Sequence, residues 1–326
     1  MESGAWRPVA EPRVLQARAA LLGQIRSFFQ GAGVLEVETP ACSRYAPTDP
    51  AIDSLQTCYR GPGQALGLPL YLHTSPEFPM KRLLAAGIGP IYQICKVFRD
   101  GERGRLHHPE FSLLEWYRPG FDSQRLMDEV AALIRHLAGT DLAEQRLTYG
   151  QLFQTHLGLD PHSAGPGQLQ AEARRLGIAG ADQLDLPDRD AWLDLLLSHY
   201  IEPRLDPRIL TFVHQYPASQ ASLARVRPGP VPVAERFELY LGGMELANGF
   251  HERADPDEQR RRFLADLERR GALGRAQVPL DAHLLEALAA GLPDCSGVAL
   301  GLDRLLMWLT GSRHIDQVLA FPLERA

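Results

Sequence analysis

The stretch that decides the fold runs from Tyr92 to Tyr117 and reads YQICKVFRDGERGRLHHPEFSLLEWY. Its ends, Tyr92–Phe98 and Phe111–Tyr117, are rich in the β-branched and aromatic residues that favour strands. They predict two antiparallel strands joined by a loop that is longer and more charged than a simple hairpin turn. Such a loop is more often a binding loop than a connector, but these residues alone fit a solvated, mobile loop equally well.

The predicted loop is dense in charge and in histidine. Its notable members are Arg99, Asp100, Glu102, Arg103, Arg105, His107, His108 and Pro109. Two other stretches bear on its role. Gly297–Leu309, GVALGLDRLLMWL, predicts a strand of small residues that runs into a helix with Arg304 near its start. Phe28–Pro40, FFQGAGVLEVETP, predicts a helix end, a glycine-rich break, a short strand and a closing proline.

In this order, the three stretches resemble the motif set of the class II aminoacyl-tRNA synthetases. The first motif of that family ends in proline, the second carries an arginine after an aromatic residue, and the third is a glycine-rich strand followed by an arginine. The resemblance covers nearly the whole chain. It implies an α+β fold, an antiparallel β-sheet flanked by helices, in a single catalytic domain over residues 1–326, and it implies a homodimer.

Composition limits the alternatives. The chain has 326 residues, 45% of them hydrophobic, and a net charge of −6, which is not typical of a nucleic-acid-binding protein. No apolar run approaches the ~20 residues of a membrane span, and Met1–Val9 lacks the apolar core of a signal peptide. The four cysteines are widely spaced, so each is predicted to be a small buried hydrophobic residue. These features predict a cytoplasmic protein with no membrane partner.

Three further regions complete the predicted organisation. Residues 141–206 are predicted to form a helical elaboration without evident chemistry, and Val318–Phe321 a short strand. A helix is predicted to follow Ser75-Pro76-Glu77. Glu77 suits the first turn, where an acid complements the helix dipole. In the lysyl branch that this segment resembles, the same position recognises the amino end of the substrate.

A second acidic stretch lies in a predicted hairpin, Val233–Leu241 and Met244–Phe250. Its second strand leads from Glu245 through Asn248 to Glu252. Two carboxylates and an amide amid apolar neighbours are costly unless paired, and oxygen ligands suit Mg²⁺ that bridges to phosphates. The alternative is a strand end with one exposed acid.

The resemblance implies adenylation of an amino acid by ATP, with Mg²⁺. Arg99 would hold the α-phosphate and Arg304 the distal phosphates, and these are the implied catalytic residues. The implied ATP-binding set is Arg99, Asp100, Gly101, Glu102, His108, Glu245, Leu246, Gly301 and Arg304. The implied amino-acid-binding set is Ser75, Pro76, Glu77, Tyr117, Glu252 and Ala299, and the implied metal ligands are Glu245 and Glu252.

The loop departs from the lysyl pattern at two places. Lysyl-type enzymes usually read Arg-Asn-Glu, whereas this chain reads Arg99-Asp100-Gly101-Glu102. The adenine-facing acid is therefore either displaced to Glu102 or replaced by the backbone at Gly101. The later His-Asn-Pro-Glu-Phe is here His107-His108-Pro109-Glu110-Phe111, in which His108 can still form a hydrogen bond where asparagine would.

Within the class, the chain resembles the truncated lysyl-tRNA synthetase paralogues that modify elongation factor P. Its first-motif helix begins near Glu11, which leaves no room for an anticodon-binding barrel, and Ala218–Ala224 reads ASQASLA as in those paralogues. The resemblance implies transfer of (R)-β-lysine from its adenylate to a lysine side chain of elongation factor P, with lysine or β-lysine as the small-molecule partner and without tRNA. Two alternatives are a tRNA-charging enzyme with a separate anticodon reader and a non-catalytic amino-acid-binding paralogue.

Two positions predict the choice between α-lysine and β-lysine. Lysyl-tRNA synthetases typically have glycine where this chain has Ala299, and alanine where it has Ser75. The methyl group of Ala299 would take the space of an α-amino group, whereas a β-amino group lies one carbon further along and could meet the Ser75 hydroxyl. The alternative is that Ala299 packs against a neighbouring strand and Ser75 caps the helix at Pro76.

Overall fold

The computed structural model describes residues 6–64, 66–184 and 186–326, so the first five residues of the Met1–Val9 segment lie outside it. The α-helices are α1 (Pro12–Gly31), α2 (Glu77–Ala85), α3 (Ser123–Ala138), α4 (Tyr149–Leu157), α5 (Pro166–Arg175), α6 (Arg189–Leu196), α7 (Pro256–Ala272), α8 (Ala282–Gly291) and α9 (Leu302–Thr310). The strands are β1 (Leu35–Glu36), β2 (Cys42–Ser43), β3 (Gln56–Tyr59), β4 (Leu68–Leu72), β5 (Ile91–Phe98), β6 (Glu110–Pro119), β7 (Glu144–Thr148), β8 (Leu210–Pro217), β9 (Val226–Arg227), β10 (Val233–Leu241), β11 (Met244–His251) and β12 (Cys295–Gly301). None of the helices in these ranges has the length and apolar character needed to cross a bilayer.

The chain divides into two compact units. The first unit consists of Met1–Gly120 and Arg253–Ala326, and the second unit of Phe121–Glu252.

The first unit is built on the strands β1, β5, β6 and β12. The predicted strand–loop–strand is confirmed, because β5 and β6 pair antiparallel from Ile91 opposite Tyr117 to Phe98 opposite Glu110. β12 pairs antiparallel with the other edge of β6, and β1 pairs parallel with β5. A small separate sheet has the order β2-β4-β3.

The helix α1 covers one face of this sheet. Phe29 is fully buried, stacks on the Tyr92 ring at 4.5 Å between centroids, and meets Trp116 edge-on at 5.3 Å. Stacked and edge-on aromatic pairs add to the apolar burial that holds such a layer. Because Tyr92 and Trp116 face α1, their neighbours Gln93, on β5, and Glu115, on β6, point to the opposite face.

The second unit carries strands in the order β11-β10-β8-β7, with β9 on β10. The predicted hairpin is confirmed, since β10 and β11 pair antiparallel about Gly242-Gly243. The helices α4, α5 and α6 pack on a buried cluster that includes Tyr149, Trp192 and Tyr216. The predicted helical elaboration also contains a strand, β7, which pairs parallel with β8. The sheets are thus mainly antiparallel, with parallel pairs at β1–β5 and β7–β8.

Two predictions are wrong. Val318–Phe321 does not form a strand: a 3₁₀ helix covers Ile315–Val318, and the carbonyl groups of Leu319 and Ala320 accept hydrogen bonds from Ala10 and Val9 instead of a strand ladder. The cysteines are not uniformly buried. Cys295 is buried, Cys95 is half-buried, and Cys42 and Cys58, which lie on the short strands of the small sheet, are exposed.

Candidate active site

Arg99 stands at the point where β5 enters the charged loop. Its guanidinium lies 5.0 Å from the centroid of the Phe111 ring, and its Nη1 is 3.5 Å from Oε1 of Glu102. Both side chains keep more than a quarter of their surface exposed, 28% and 29%. An ion pair that is this long and this accessible is weak. Arg99 therefore lies with its fork at the surface of the loop, where an anion can replace Glu102.

Arg304 reaches the same loop from the first turn of α9. Its Nη2 donates to Nε2 of His107 at 2.8 Å, and its Nε donates to the carbonyl of Leu106 at 3.3 Å. The preceding residue, Asp303, is buried and accepts hydrogen bonds from the backbone of Ser112, at 2.6 Å, and from Arg18. Asp303 thereby fixes the start of α9 against β6 and directs Arg304 at the loop.

His107 interacts electrostatically with Arg304, Arg99 and Glu102. The pKa of its imidazole lies below the ordinary value, mainly because the surrounding protein desolvates the ring, although part of its surface stays accessible. The positive charges of Arg304 and Arg99 lower this pKa further, and Glu102 raises it. A neutral His107 accepts the hydrogen bond from Arg304. The sequence patterns predicted no role for His107.

The other loop residues of the implied ATP set lie as follows. Asp100 is exposed, and its N–H donates to the carbonyl of Asp53 at 2.8 Å. Gly101 has φ +78°, a conformation that favours glycine. His108 is buried: its Nδ1–H donates to the carbonyl of Glu110 at 2.6 Å, and its Nε2 accepts from the N–H of Leu323 at 3.0 Å. His108 thus ties the loop to the C-terminal segment.

Ser75, Pro76 and Glu77 open the helix α2. The Ser75 hydroxyl accepts a hydrogen bond from the N–H of Glu77 at 3.3 Å, and the residue at the N-cap of α2 is Pro76. The carboxylate of Glu77 receives Nζ of Lys81 at 2.7 Å, and the Lys81 side chain is only 3% exposed. A buried ammonium requires such a partner, so Lys81 also holds the Glu77 carboxylate in place.

A row of side chains crosses three strands on one face of the sheet in the first unit. Gln93, Glu115 and Ala299 lie directly opposite one another on β5, β6 and β12. Directly opposed residues share a face, so the Ala299 methyl group lies beside the Glu115 side chain. Tyr117, two residues along β6, donates its hydroxyl to Oε1 of Glu115 at 2.6 Å. Gly301 ends β12 and forms the N-cap of α9 without a side chain.

Glu115 is a candidate site residue that the sequence patterns did not predict. Glu115 is only 2% exposed. Burial is the main cause that raises the pKa of Cys95 to about 12, and the negative charge of Glu115 raises this pKa further. The signal was present in the sequence, because Glu115 is an acid inside the otherwise apolar and aromatic run of β6. A buried acid that is held by a tyrosine hydroxyl beside a small residue suits recognition of a cation.

In the second unit, Glu245, Leu246 and Glu252 lie along β11 and its end. Glu245 is half-buried opposite Tyr240, and Leu246 is the extra residue of a β-bulge. Bulges often re-aim side chains next to functional sites. Glu252 is buried, and its backbone forms a bridge with Ala224, the last residue of the stretch Ala218–Ala224.

Glu238 on β10 is a second buried acid that sequence analysis missed. It accepts hydrogen bonds from the hydroxyls of Tyr216, at 2.6 Å, and Tyr240, and from Arg236. Glu238 and Tyr240 share a face of β10, so Glu245, opposite Tyr240, lies on that face too. Within the described ranges no cluster of three or more His, Cys, Asp or Glu forms a metal site. Glu238 and Glu245 thus place two carboxylates on one face of this hairpin.

Comparison with known proteins places the chain in one family. The family model for class II tRNA synthetases (D, K and N) matches residues 7–325. A protein of Photobacterium profundum, named elongation factor P–(R)-β-lysine ligase, is 50% identical over 321 residues, which are 98% of this chain and 99% of that protein. A protein of the same name from Salmonella arizonae is 49% identical over 325 residues, 100% of this chain and 99% of that protein.

Proposed function

Because the chain belongs to the class II tRNA synthetase family (D, K and N), we propose that it is an ATP-dependent, AMP-forming ligase that transfers (R)-β-lysine to a lysine side chain of elongation factor P. The observation that carries this proposal is the identity of 49–50%, over 98–100% of the chain, to relatives that bear this name. The use of ATP follows from the family.

In the first step, a carboxylate oxygen of the amino acid attacks the α-phosphorus of ATP. The new P–O bond forms as the bond from that phosphorus to pyrophosphate breaks, which leaves an aminoacyl-adenylate. Such a reaction needs mainly positioning and neutralisation of charge. Arg99 exchanges Glu102 for the α-phosphate, where its planar fork grips two oxygens, and Arg304 binds the distal phosphates. Arg99, Glu102, His107 and Arg304 form what we call the phosphate side.

In the second step, the ε-amine of a lysine on elongation factor P attacks the carbonyl carbon of the adenylate. An amide bond forms, the bond to the phosphate oxygen breaks, AMP leaves, and the amine gives up a proton. The remaining ATP contacts are assigned to Asp100, Gly101, His108, Leu246 and Gly301.

The cationic end of the amino acid is assigned to buried and half-buried acids. The residues proposed to bind this end of the amino acid, beside Ala299, are Ser75, Pro76, Glu77, Glu115 and Tyr117. We call Glu77, Lys81, Glu115, Tyr117 and Ala299 the lysine side. Glu252 is proposed as a further substrate-binding carboxylate. A carboxylate that meets a desolvated ammonium stabilises binding by about 1.5–3 kcal/mol.

Magnesium is assigned to Glu245 and Glu252, with Glu238 as a neighbouring acid on the same face as Glu245. The ion supplies charge neutralisation on the phosphates when it is bound. The enzyme is further proposed to act in the cytoplasm as a homodimer.

A second candidate function is the charging of tRNA, because the matched family model describes tRNA synthetases. The net charge of −6 disfavours it, since tRNA binding relies on basic surface. A gel-shift titration with total tRNA separates the two functions: the proposed ligase gives no shift at concentrations where it modifies elongation factor P.

The test of the proposal is ATP–pyrophosphate exchange with (R)-β-lysine, α-lysine and the other amino acids, followed by intact-mass analysis of elongation factor P. We expect exchange to be fastest with (R)-β-lysine, and the mass of elongation factor P to rise by one lysyl group. Exchange without transfer would contradict the assignment of the acceptor. The absence of exchange with every amino acid would favour a non-catalytic paralogue.

A further inference from the structure

The C-terminal segment, residues 312–326, runs along the charged loop of residues 99–109. It contains the 3₁₀ helices Ile315–Val318 and Leu323–Arg325 in place of the predicted strand. Its backbone meets the loop twice. The N–H of Ile315 donates to the carbonyl of Arg105 at 2.9 Å, and the N–H of Leu323 donates to Nε2 of His108 at 3.0 Å.

Arg103 makes the third and most extensive contact between the loop and this segment. Its Nη1 and Nη2 donate to the two carboxylate oxygens of Asp316 at 3.0 and 2.8 Å. Its Nε and Nη2 donate to the two oxygens of Glu324, both at 2.9 Å. Arg103 therefore holds two carboxylates in bidentate geometry, the strongest arrangement that arginine offers.

This network differs from an ordinary surface ion pair. An isolated exposed pair contributes little, because solvent screens it and its side chains lose freedom. Here the Arg103, Asp316 and Glu324 side chains are 32%, 21% and 60% exposed, but hydrogen bonds from the backbone N–H groups of Ile315 and Leu323 already hold the segment to the loop. Each contact is then made between groups that are partly ordered, so several weak contacts act together.

The tied residues flank Glu102 and His107, the loop partners of the two arginines assigned to the phosphates. Arg103 follows Glu102 directly, and the bonds at Arg105 and His108 bracket His107, which accepts the hydrogen bond of Arg304. A displacement of the loop between residues 102 and 108 would move both Glu102 and His107. A misplacement of even 1 Å can reduce a rate by about 100-fold.

We propose that the C-terminal segment is a latch that holds the charged loop in its ATP-binding shape, with Arg103, Asp316 and Glu324 as positioning residues. The latch is a property of the free protein. Its effect on ATP rests on the proposed function.

The first test uses hydrogen–deuterium exchange and needs no activity. In Arg103→Gln, we expect backbone amides of residues 100–108, and the amides of Ile315 and Leu323, to exchange about tenfold faster than in the parent protein. The matched control is Arg105→Gln, because the Arg105 side chain is exposed and has no hydrogen bond or ion pair with other described residues. The latch proposal is overturned if hydrogen exchange of these amides is unchanged in Arg103→Gln. It is also overturned if Arg105→Gln raises their exchange rates by the same factor.

The second test uses ATP–pyrophosphate exchange. Arg103→Gln should raise the KM for ATP about tenfold and leave the KM for the amino acid within about twofold. The triple variant Arg103→Gln, Asp316→Asn, Glu324→Gln should do no more than Arg103→Gln, because all three changes remove one network. Additive effects, or a parallel rise in both KM values with a lower melting temperature, overturn the positioning role. Failure of the parent to exchange pyrophosphate instead refutes the proposed function, and the hydrogen-exchange test still decides on the latch.

Discussion

The phosphate side and the lysine side hold their charges in different ways. Arg99 and Glu102 meet at 3.5 Å and are more than a quarter exposed, whereas Glu77 holds a Lys81 that is 3% exposed at 2.7 Å. Glu115, which is 2% exposed, accepts the Tyr117 hydroxyl at 2.6 Å. Exposed, long pairs exchange partners at little cost, while buried, short pairs keep a fixed geometry. The phosphate side is therefore suited to a ligand that replaces internal partners, and the lysine side to a ligand that must match a fixed arrangement of charges.

The largest effect should follow from removing either arginine of the phosphate side. Arg99→Ala and Arg304→Ala should each reduce pyrophosphate exchange by at least ~100-fold, the scale of losing one preorganised donor. Because the Arg99 pair is exposed, its loss should leave the melting temperature nearly unchanged. Thermal unfolding provides the control, and exchange at the parent's rate in either variant would refute its assigned role.

The next effect separates an amine partner from a metal ligand. Glu252→Gln keeps the shape of the side chain and removes its charge, so the KM for the amino acid should rise ~10- to 150-fold with less change for ATP. Glu77→Gln should do the same and also lower the melting temperature, because it takes a charge partner from the buried Lys81. Equal increases of both KM values in Glu252→Gln would instead assign Glu252 to magnesium.

A smaller effect concerns the choice between the two lysines. Ala299→Gly removes the methyl group that lies beside Glu115, so α-lysine activation should rise at least ~10-fold relative to (R)-β-lysine. The measurement is exchange with both amino acids side by side. Ser75→Ala is the companion variant: a lower melting temperature with an unchanged ratio would assign Ser75 to capping α2 alone. If Ala299→Gly leaves the ratio of α-lysine to (R)-β-lysine activation unchanged, the proposal that the methyl group excludes α-lysine is wrong.

The smallest effect is one of pH on the phosphate side. The pKa of His107 is lowered by partial desolvation of its exposed ring and then by Arg304, so the ring is neutral at pH 7 and takes up a proton only below the ordinary histidine value of about 6.5. Protonation removes the acceptor for Arg304 and adds a like charge. We expect the KM for ATP to rise a few-fold as the pH falls below ~6, and less in His107→Gln, whose amide oxygen accepts without titrating. If the KM for ATP depends on pH in the same way in the parent protein and in His107→Gln, His107 is not the cause of the pH dependence.

The local patterns predicted the elements around the site well. The apolar runs of β5 and β6, the glycine hairpin of β10 and β11, and the strand-to-helix step from β12 to α9 are all present. Each of them depends on side chains within one short stretch. The predicted strand at Val318–Phe321 failed because an apolar run alone does not supply a pairing partner, and there the backbone bonds to Val9 and Ala10.

The residues that sequence analysis missed are those whose role depends on distant partners. Glu115 and Glu238 are single acids inside apolar strands, and only strand pairing shows that Ala299 lies opposite Glu115 and that Tyr216 reaches Glu238. The pairing of Arg103 with Glu324 joins residues 221 positions apart. Periodicity carries no information on contacts of that range. The assigned roles of the site residues stay predictions until the variants are measured.

The four cysteines differ in exposure, so the unmutated protein has selective attachment sites for spectroscopic probes. A thiol reacts with a maleimide through its thiolate and only where the reagent can reach it. Cys42 and Cys58 are exposed on the small sheet, whereas Cys295 is buried, and the pKa of Cys95, raised to about 12, keeps its thiol protonated. Fluorophores or spin labels should therefore enter at Cys42 and Cys58 first. Binding of nucleotide and amino acid could then be followed in the unmutated protein, without a reagent at the cysteine beside Glu115.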